Sequence, residues 1–137
     1  MNIDQLDTFT KHYLIAALFT DSEQLLFDNT DGRVFDLNDF APEFIARSYA
    51  ECQAFQHQAR GFLPFTYQEY IDKGNADHPD AGSPEACAGH DFWLSRNGHG
   101  CGFWDRGLVY GEQLHRYARD MKEVDLYIGD DGQIYGA

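Results

Sequence analysis

The stretch Ala88–Arg106, AGHDFWLSRNGHGCGFWDR, decides the fold that this sequence predicts. Two aromatic segments flank Asn97-Gly98, the dipeptide that best suits a two-residue type I′ turn because both central positions need a positive φ. We therefore predict a β-hairpin over residues 90–105, in which Phe92 pairs with Phe103 on the face that contacts the core. A slip of one residue would exchange the two faces, so the prediction depends on this register.

The predicted hairpin ends in a polar tip. Arg96, Asn97 and His99 surround its turn, and a rigid exposed turn is a common place for a contact with an anion or a protein partner. Exposed polar tips also occur on turns that have no binding role. We predict these three residues as candidate binding residues.

At the open end of the hairpin, His90 would face Asp105, with Asp91 beside them. A carboxylate that orients an imidazole is the arrangement that general-base catalysis needs. The same pair is also a structural contact that ties two strands together. We therefore predict His90, Asp91 and Asp105 as catalytic residues only if the protein is an enzyme.

The spacing of the histidines argues against a shared metal ion. His90 and His99 would lie about 20 Å apart at a rise of about 3.3 Å per residue, whereas each ligand must lie within about 2.5 Å of the ion. The sequence also lacks a Walker loop, a GxGxxG loop, a GxSxG elbow and an HExxH motif. We predict no metal and no cofactor.

Hydrophobic periodicity predicts three main helices. The first covers residues 3–20, the second begins near Asp39 and ends at Gly61, and the third contains Leu114 and Met121. Within the second helix, the spacing predicts a buried face, which consists of Ile45, Tyr49, Cys52, Phe55 and Ala59.

The segment between the second helix and the first hairpin is predicted to hold short helices and a loop. Thr66 caps a short helix that Gly74 closes, residues 74–85 are rich in turn formers, and Ser83 begins a one-turn helix that ends at Gly89. We expect residues 74–85 to form a surface loop or a lid.

Alternation of apolar and polar residues predicts a second hairpin over residues 124–135, with Asp131-Gly132 at its turn. The predicted fold class is therefore α+β, with about three main helices packed on a small antiparallel sheet of two β-hairpins. A chain of 137 residues is about one domain. We predict one domain, 1–137, divided into a helical part (1–64), short helices with a loop (65–89) and a hairpin–helix–hairpin part (90–137).

The charge is strongly acidic, with a formal net of -13. Residues 1–58 carry -7, residues 59–89 carry -3 and residues 90–137 carry -3. Such a surface repels nucleic acid and anionic membranes, so neither is expected as a direct partner. High acidity also serves solubility alone, but acids on the helical part suit competition with nucleic acid for a basic protein groove. The candidate acids are Asp21, Glu23, Asp28 and Asp31.

The three cysteines, an odd number without close pairing, favour a reducing compartment. No apolar stretch is long enough to span a bilayer, and Asp4 and Asp7 stand where a signal peptide would be basic. We expect a soluble, cytoplasmic protein.

The segments HDFWLSRNGHGCGFWDR and VDLYIGDDGQIY resemble a family of small acidic proteins from bacteriophages and other mobile elements. The resemblance covers mainly residues 86–136 and brings no established catalytic residues. It implies an accessory protein that binds a host or viral macromolecule, including as an inhibitor of a CRISPR or restriction enzyme.

Two functions follow as hypotheses. The first is a binding protein that blocks a nucleic-acid-processing host enzyme and catalyses nothing. The second is a small metal-dependent hydrolase or nuclease centred on the base of the 90–105 hairpin. A cluster of exposed acids would favour the first hypothesis, and a pocket that converges on His90 would favour the second. The oligomeric state is not predicted.

Overall fold

The computed structural model describes residues 1–29, 32–74 and 83–137, and these form a mostly helical structure with a small antiparallel sheet. The predicted mixture of helices and sheet is confirmed at this level. The described α-helices are α1 (Thr8–Thr20), α2 (Ser22–Asp28), α3 (Pro42–Gln58), α4 (Leu63–Asp72), α5 (Pro84–Arg96) and α6 (Gly111–Asp120). The strands are β1 (Leu126–Ile128) and β2 (Ile134–Gly136), and short 3-10 helices cover Ile3–Gln5, Leu37–Asp39 and Phe103–Asp105.

The predicted hairpin over residues 90–105 is wrong, because the first half of this stretch belongs to α5. The Ser83 hydroxyl caps the helix by accepting from the Ala86 amide at 3.2 Å, and Pro84 opens the first turn. The helix continues through Gly89, where the sequence predicted its end. The described strands therefore form one hairpin instead of two.

The Asn97-Gly98 dipeptide ends a helix instead of joining two strands. Gly98 has a φ of 67°, and its amide donates to the Ser95 carbonyl at 3.4 Å. The His99 amide donates to the Leu94 carbonyl at 3.1 Å. These two bonds make a Schellman motif, which needs one left-handed residue after the last helical turn, whereas a type I′ turn needs two at its centre.

Helix α5 packs against α1 at a very short distance. A Cβ atom added at Gly89 would overlap the backbone carbonyl of Phe9, so only glycine fits at this crossing. One turn further along, the Trp93 indole donates to the Thr20 hydroxyl at 2.8 Å. These contacts bury most of α5 and place it at the centre of the molecule.

A stack of aromatic rings forms the middle of the core. The ring of Phe55 on α3 lies 4.2 Å from Phe92 on α5, 5.7 Å from Phe103 and 5.9 Å from Phe9 on α1, measured between centroids. The predicted burial of Phe92 and Phe103 is confirmed, although α5 and a 3-10 helix carry them in place of paired strands.

Six α-helices are described where the sequence predicted about three main ones: the predicted helices form with shifted ends, and α2 was not predicted. The predicted helix over residues 3–20 is interrupted before Asp7, whose carboxylate accepts from the Thr10 amide at 3.3 Å and caps α1. Pro64 lies in the first turn of α4, a position that tolerates proline. Over the residues described, no helix has both the length and the apolar character needed to cross a membrane.

The hairpin predicted over residues 124–135 is confirmed. Strands β1 and β2 are antiparallel, with Tyr127 opposite Tyr135 and Ile128 opposite Ile134. The Ala41 amide also donates to the Ile134 carbonyl at 2.9 Å, which joins this small sheet to the start of α3.

Replacing Gly89 with alanine should destabilise the fold by about 1–3 kcal/mol, because the added methyl group forces α1 and α5 apart. Gly61 is the matched control, since a Cβ there meets nothing within 4 Å. We expect Gly61→Ala to change the free energy of unfolding by less than about 0.5 kcal/mol. Urea denaturation followed by circular dichroism measures both variants, and equal stability of the two would contradict the close packing.

Candidate functional site

Arg96 was predicted at an exposed tip, and this prediction is wrong because its side chain is only 2% exposed. Its guanidinium donates to the Tyr13 hydroxyl at 3.1 Å and forms an ion pair with Glu51 at 2.5 Å. It also donates to the backbone carbonyls of Met121 at 3.0 Å and Lys122 at 2.6 Å. Arg96 thus joins α5 to α1, to α3 and to the segment after α6.

Asn97 is likewise a structural residue. Its amide nitrogen donates to the Trp93 carbonyl at 3.0 Å, and its amide oxygen accepts from the Val124 backbone amide at 2.8 Å. The predicted exposure of Arg96 was wrong because it ends a helix and its side chain is buried. Asn97 is half-buried, and its amide bonds the backbone of its own helix and of Val124.

His99 and Asp21 come close together, although the sequence placed them in different candidate groups. The imidazole nitrogen Nε2 of His99 lies 4.0 Å from a carboxylate oxygen of Asp21. Partial burial raises the pKa of Asp21, and the nearby charge of Asp125 adds to this, while Thr20 and His99 oppose it. The turn at Gly98 thus returns the chain to the end of α1.

Residues 19–39, here called the acidic segment, carry six acids and one base. Among its described residues, Phe19 is 81% exposed, Phe27 86% and Val34 90%. The predicted binding residue Glu23 is also exposed. The predicted residue Asp31 and the side chain of Asp28 lie outside the described part of the structure.

The exposed phenylalanines were missed by the sequence analysis, which named neither Phe19 nor Phe27 as a candidate binding residue. A signal was present, because the buried stripe of α1 follows Phe9, Tyr13 and Ala17 at helical spacing. Phe19 lies off that stripe, so its ring points away from the core.

Asp91 occupies a buried polar site between α4, α5 and the segment that follows α5. Its side chain is 1% exposed and forms an ion pair with Arg106 at 2.8 Å. The Tyr70 hydroxyl donates a short hydrogen bond to the other carboxylate oxygen. Burial raises the pKa of Asp91 to about 6, and the opposing effects of Arg106 and Tyr70 do not cancel it.

The predicted pairing of His90 with Asp105 is wrong, because the strands that would bring them together do not form. The His90 ring faces His12 of α1 at 5.6 Å between centroids. Asp105 instead accepts from the Gly102 amide at 2.9 Å and caps a 3-10 helix. Consecutive residues on a helix project about 100° apart, so His90 and Asp91 face different neighbours. A catalytic role for these residues stays a prediction.

Histidine, cysteine and carboxylate side chains do not converge in the described ranges 1–29, 32–74 and 83–137. No group of three or more of them there is placed to hold a metal ion.

Two histidines have a lowered pKa. Burial and the neighbouring Lys11 lower the pKa of His12, and burial with Arg119 lowers the pKa of His115.

The chain matches no protein-family model, no curated protein and no solved structure. The resemblance of residues 86–136 to mobile-element proteins therefore stays a prediction. Of the predicted binding residues, Glu23 and His99 are exposed, Asp21 and Asn97 are half-buried, and Arg96 is buried.

Replacing Arg96 with methionine should destabilise the protein by about 2–4 kcal/mol, because the carbonyls of Met121 and Lys122 each lose a buried donor. Glu51 loses one ion pair but keeps the other, with Arg47 at 2.6 Å.

The control is Glu123→Gln, which breaks the exposed pair between Arg119 and Glu123. That change should cost less than about 1 kcal/mol. Urea denaturation measures the free energy of unfolding of both variants. Equal decreases in this free energy would exclude a central role for Arg96.

The stability contributed by Asp91 should fall as the pH rises. Its folded pKa of about 6 lies above the ordinary value of 3.8, so the folded protein holds this proton more tightly than the unfolded chain. Between these two pKa values the contribution decreases by up to about 3 kcal/mol, and above them it is constant.

Asp91→Asn does not titrate, so the stability difference between wild type and variant should shrink from pH 4 to pH 6 and then level off. Urea denaturation of both proteins across this range measures the difference. Two parallel curves would show that Asp91 keeps an ordinary pKa in the folded protein.

Proposed function

We propose that this protein acts by binding a protein partner with a basic surface, and that the acidic segment makes the contact. The observation that carries the proposal is the exposure of Phe19 and Phe27, at 81% and 86%, within a segment of net charge -5. Large exposed apolar side chains among charged residues are typical of interaction surfaces, where aromatic anchors supply much of the affinity.

The acidic charge selects the partner. A net charge of -13 attracts basic surfaces over several ångströms and speeds association with them. Enzymes that process nucleic acid present such surfaces because they bind a polyanion. This protein has the same sign of charge as nucleic acid, so it would compete for the same groove.

The two kinds of side chain would contribute different parts of binding. The carboxylates set the rate of association and its sensitivity to salt, whereas the phenylalanine rings slow dissociation once they are buried. Inhibition then follows from occupying the groove and needs no chemical step. The resemblance to mobile-element proteins favours a CRISPR or restriction enzyme as the target.

The test is affinity capture from a bacterial lysate at low and at raised salt, with wild-type protein and with the double variant Phe19→Ser/Phe27→Ser. We expect a stoichiometric basic partner that is lost as salt rises and displaced by added DNA. The double variant should retain at least about tenfold less of it, since each aromatic anchor contributes about 1 kcal/mol or more.

The matched control is Phe65→Ser, which removes a ring that is 51% exposed on α4, outside the acidic segment. Circular dichroism verifies that each variant is folded. The proposal fails if no stoichiometric partner is captured, or if the control loses as much partner as the double variant.

A further inference from the structure

The outer face of the β1–β2 hairpin carries two stacked tyrosines. Tyr127 and Tyr135 are directly opposite in the register, and their ring centroids lie 5.7 Å apart with an angle of 19° between the planes. Tyr127 is 45% exposed, so its ring is available to a ligand. Stacked exposed rings present electron-rich faces, which attract cations.

These tyrosines line a surface cleft of about 330 Å³, here called the tyrosine cleft. Its other lining residues are Glu43, Gly129, Asp130 and Asp131. A Cβ added at Gly129 would press on the Tyr135 ring, so the backbone and the ring are in close contact there. The cleft therefore combines aromatic faces with carboxylates from both the hairpin turn and the start of α3.

Two hydrogen bonds hold the Asp131 carboxylate of the cleft in place. The Tyr135 hydroxyl donates to Asp131 at 2.6 Å, and the Gln133 amide donates to the other oxygen at 3.0 Å. These hydrogen bonds lower the pKa of Asp131. Residues 123–137 contain four acids and no base, so this segment is strongly acidic.

The same turn already binds one guanidinium of the chain itself. Arg33 donates a short hydrogen bond to the Gly132 carbonyl, and its guanidinium lies 4.7 Å from the centroid of the Phe35 ring. An arginine that contacts both a turn oxygen and an aromatic face is the arrangement that the tyrosine cleft offers to an external ligand.

We propose that the tyrosine cleft binds an arginine side chain of a basic protein partner. A guanidinium is planar, stacks on aromatic rings and pairs with carboxylates through two parallel N–H groups. An ammonium group stacks less well on a ring and cannot form the two parallel bonds. The identity of the ligand as part of a protein rests on the proposed function. The cleft itself is a separate contact from the acidic segment.

The test is an NMR titration of the isolated protein with an arginine homopeptide and with a lysine homopeptide of equal length. The two peptides have the same charge, so general attraction to an acidic protein affects both equally. We expect saturable shifts at Tyr127, Gly129 and Tyr135 with the arginine peptide, and binding at these residues at least threefold weaker with the lysine peptide.

Two variants separate stacking from charge and fold. Tyr127→Leu should weaken binding of the arginine peptide about two- to fivefold, as expected for one cation–π contact at an exposed site, and should remove the preference over lysine. Tyr127→Phe keeps the ring and should bind as the wild type does. The hairpin amide shifts of each variant verify that β1 and β2 still pair.

The inference is overturned if the peptides bind equally, if the shifts spread over the acidic surface without saturating at the hairpin, or if Tyr127→Leu binds arginine as tightly as the wild type. Each of these results leaves the capture experiment on the acidic segment unaffected. A captured partner together with an unresponsive cleft would therefore refute this inference alone.

Discussion

The guanidinium of Arg96 is the interaction on which the rest of the fold depends, because it is a buried charge that several elements satisfy together. It contacts α1 through Tyr13, α3 through Glu51 and the backbone after α6 through two carbonyls. A buried arginine without these partners would cost several kcal/mol, so the elements can only pack in the arrangement that supplies them. Arg96 is the last residue of α5, so these contacts also fix the orientation of α5 relative to α1 and α3.

The sequence predicted the second hairpin correctly and the first one wrongly, for a physical reason. Val124–Ile128 alternates strictly between apolar and polar residues, which only a half-buried strand explains. The stretch around Phe92 is apolar without clear alternation, so the Asn97-Gly98 turn decided the prediction. That dipeptide serves a helix end as well as a hairpin because both need a left-handed backbone. The close crossing of α5 and α1 at Gly89 favours a helix over a strand for this stretch. That contact involves a distant part of the chain, so the local sequence does not reveal it.

The same error moved the predicted site. Arginine and aspartate look like surface residues in a sequence because their burial is rare without partners. Here Arg96 and Asp91 both have partners far away in the chain, and no short-range pattern indicates them. The helical phase of Phe19, by contrast, was visible in the sequence and placed it off the buried stripe. Arg96 and Asp91, which were predicted as site residues, thus stabilise the core, whereas the apolar residue Phe19 is exposed at the surface.

Side chains of α4 and α5 hold the segment after α5 in place, among them the Ser95 hydroxyl, which accepts from the Phe103 amide at 3.0 Å. Arg106 is held by Asp91, and the Val109 amide donates to the Glu69 carboxylate at 3.0 Å and 3.2 Å. Only the short 3-10 helix Phe103–Asp105 is regular there, so side chains from two helices replace the hydrogen bonds that a longer element would provide. Opening of this segment would break its contacts with Asp91, Ser95 and Glu69 together, so we expect it to unfold as one cooperative unit and not to fray residue by residue.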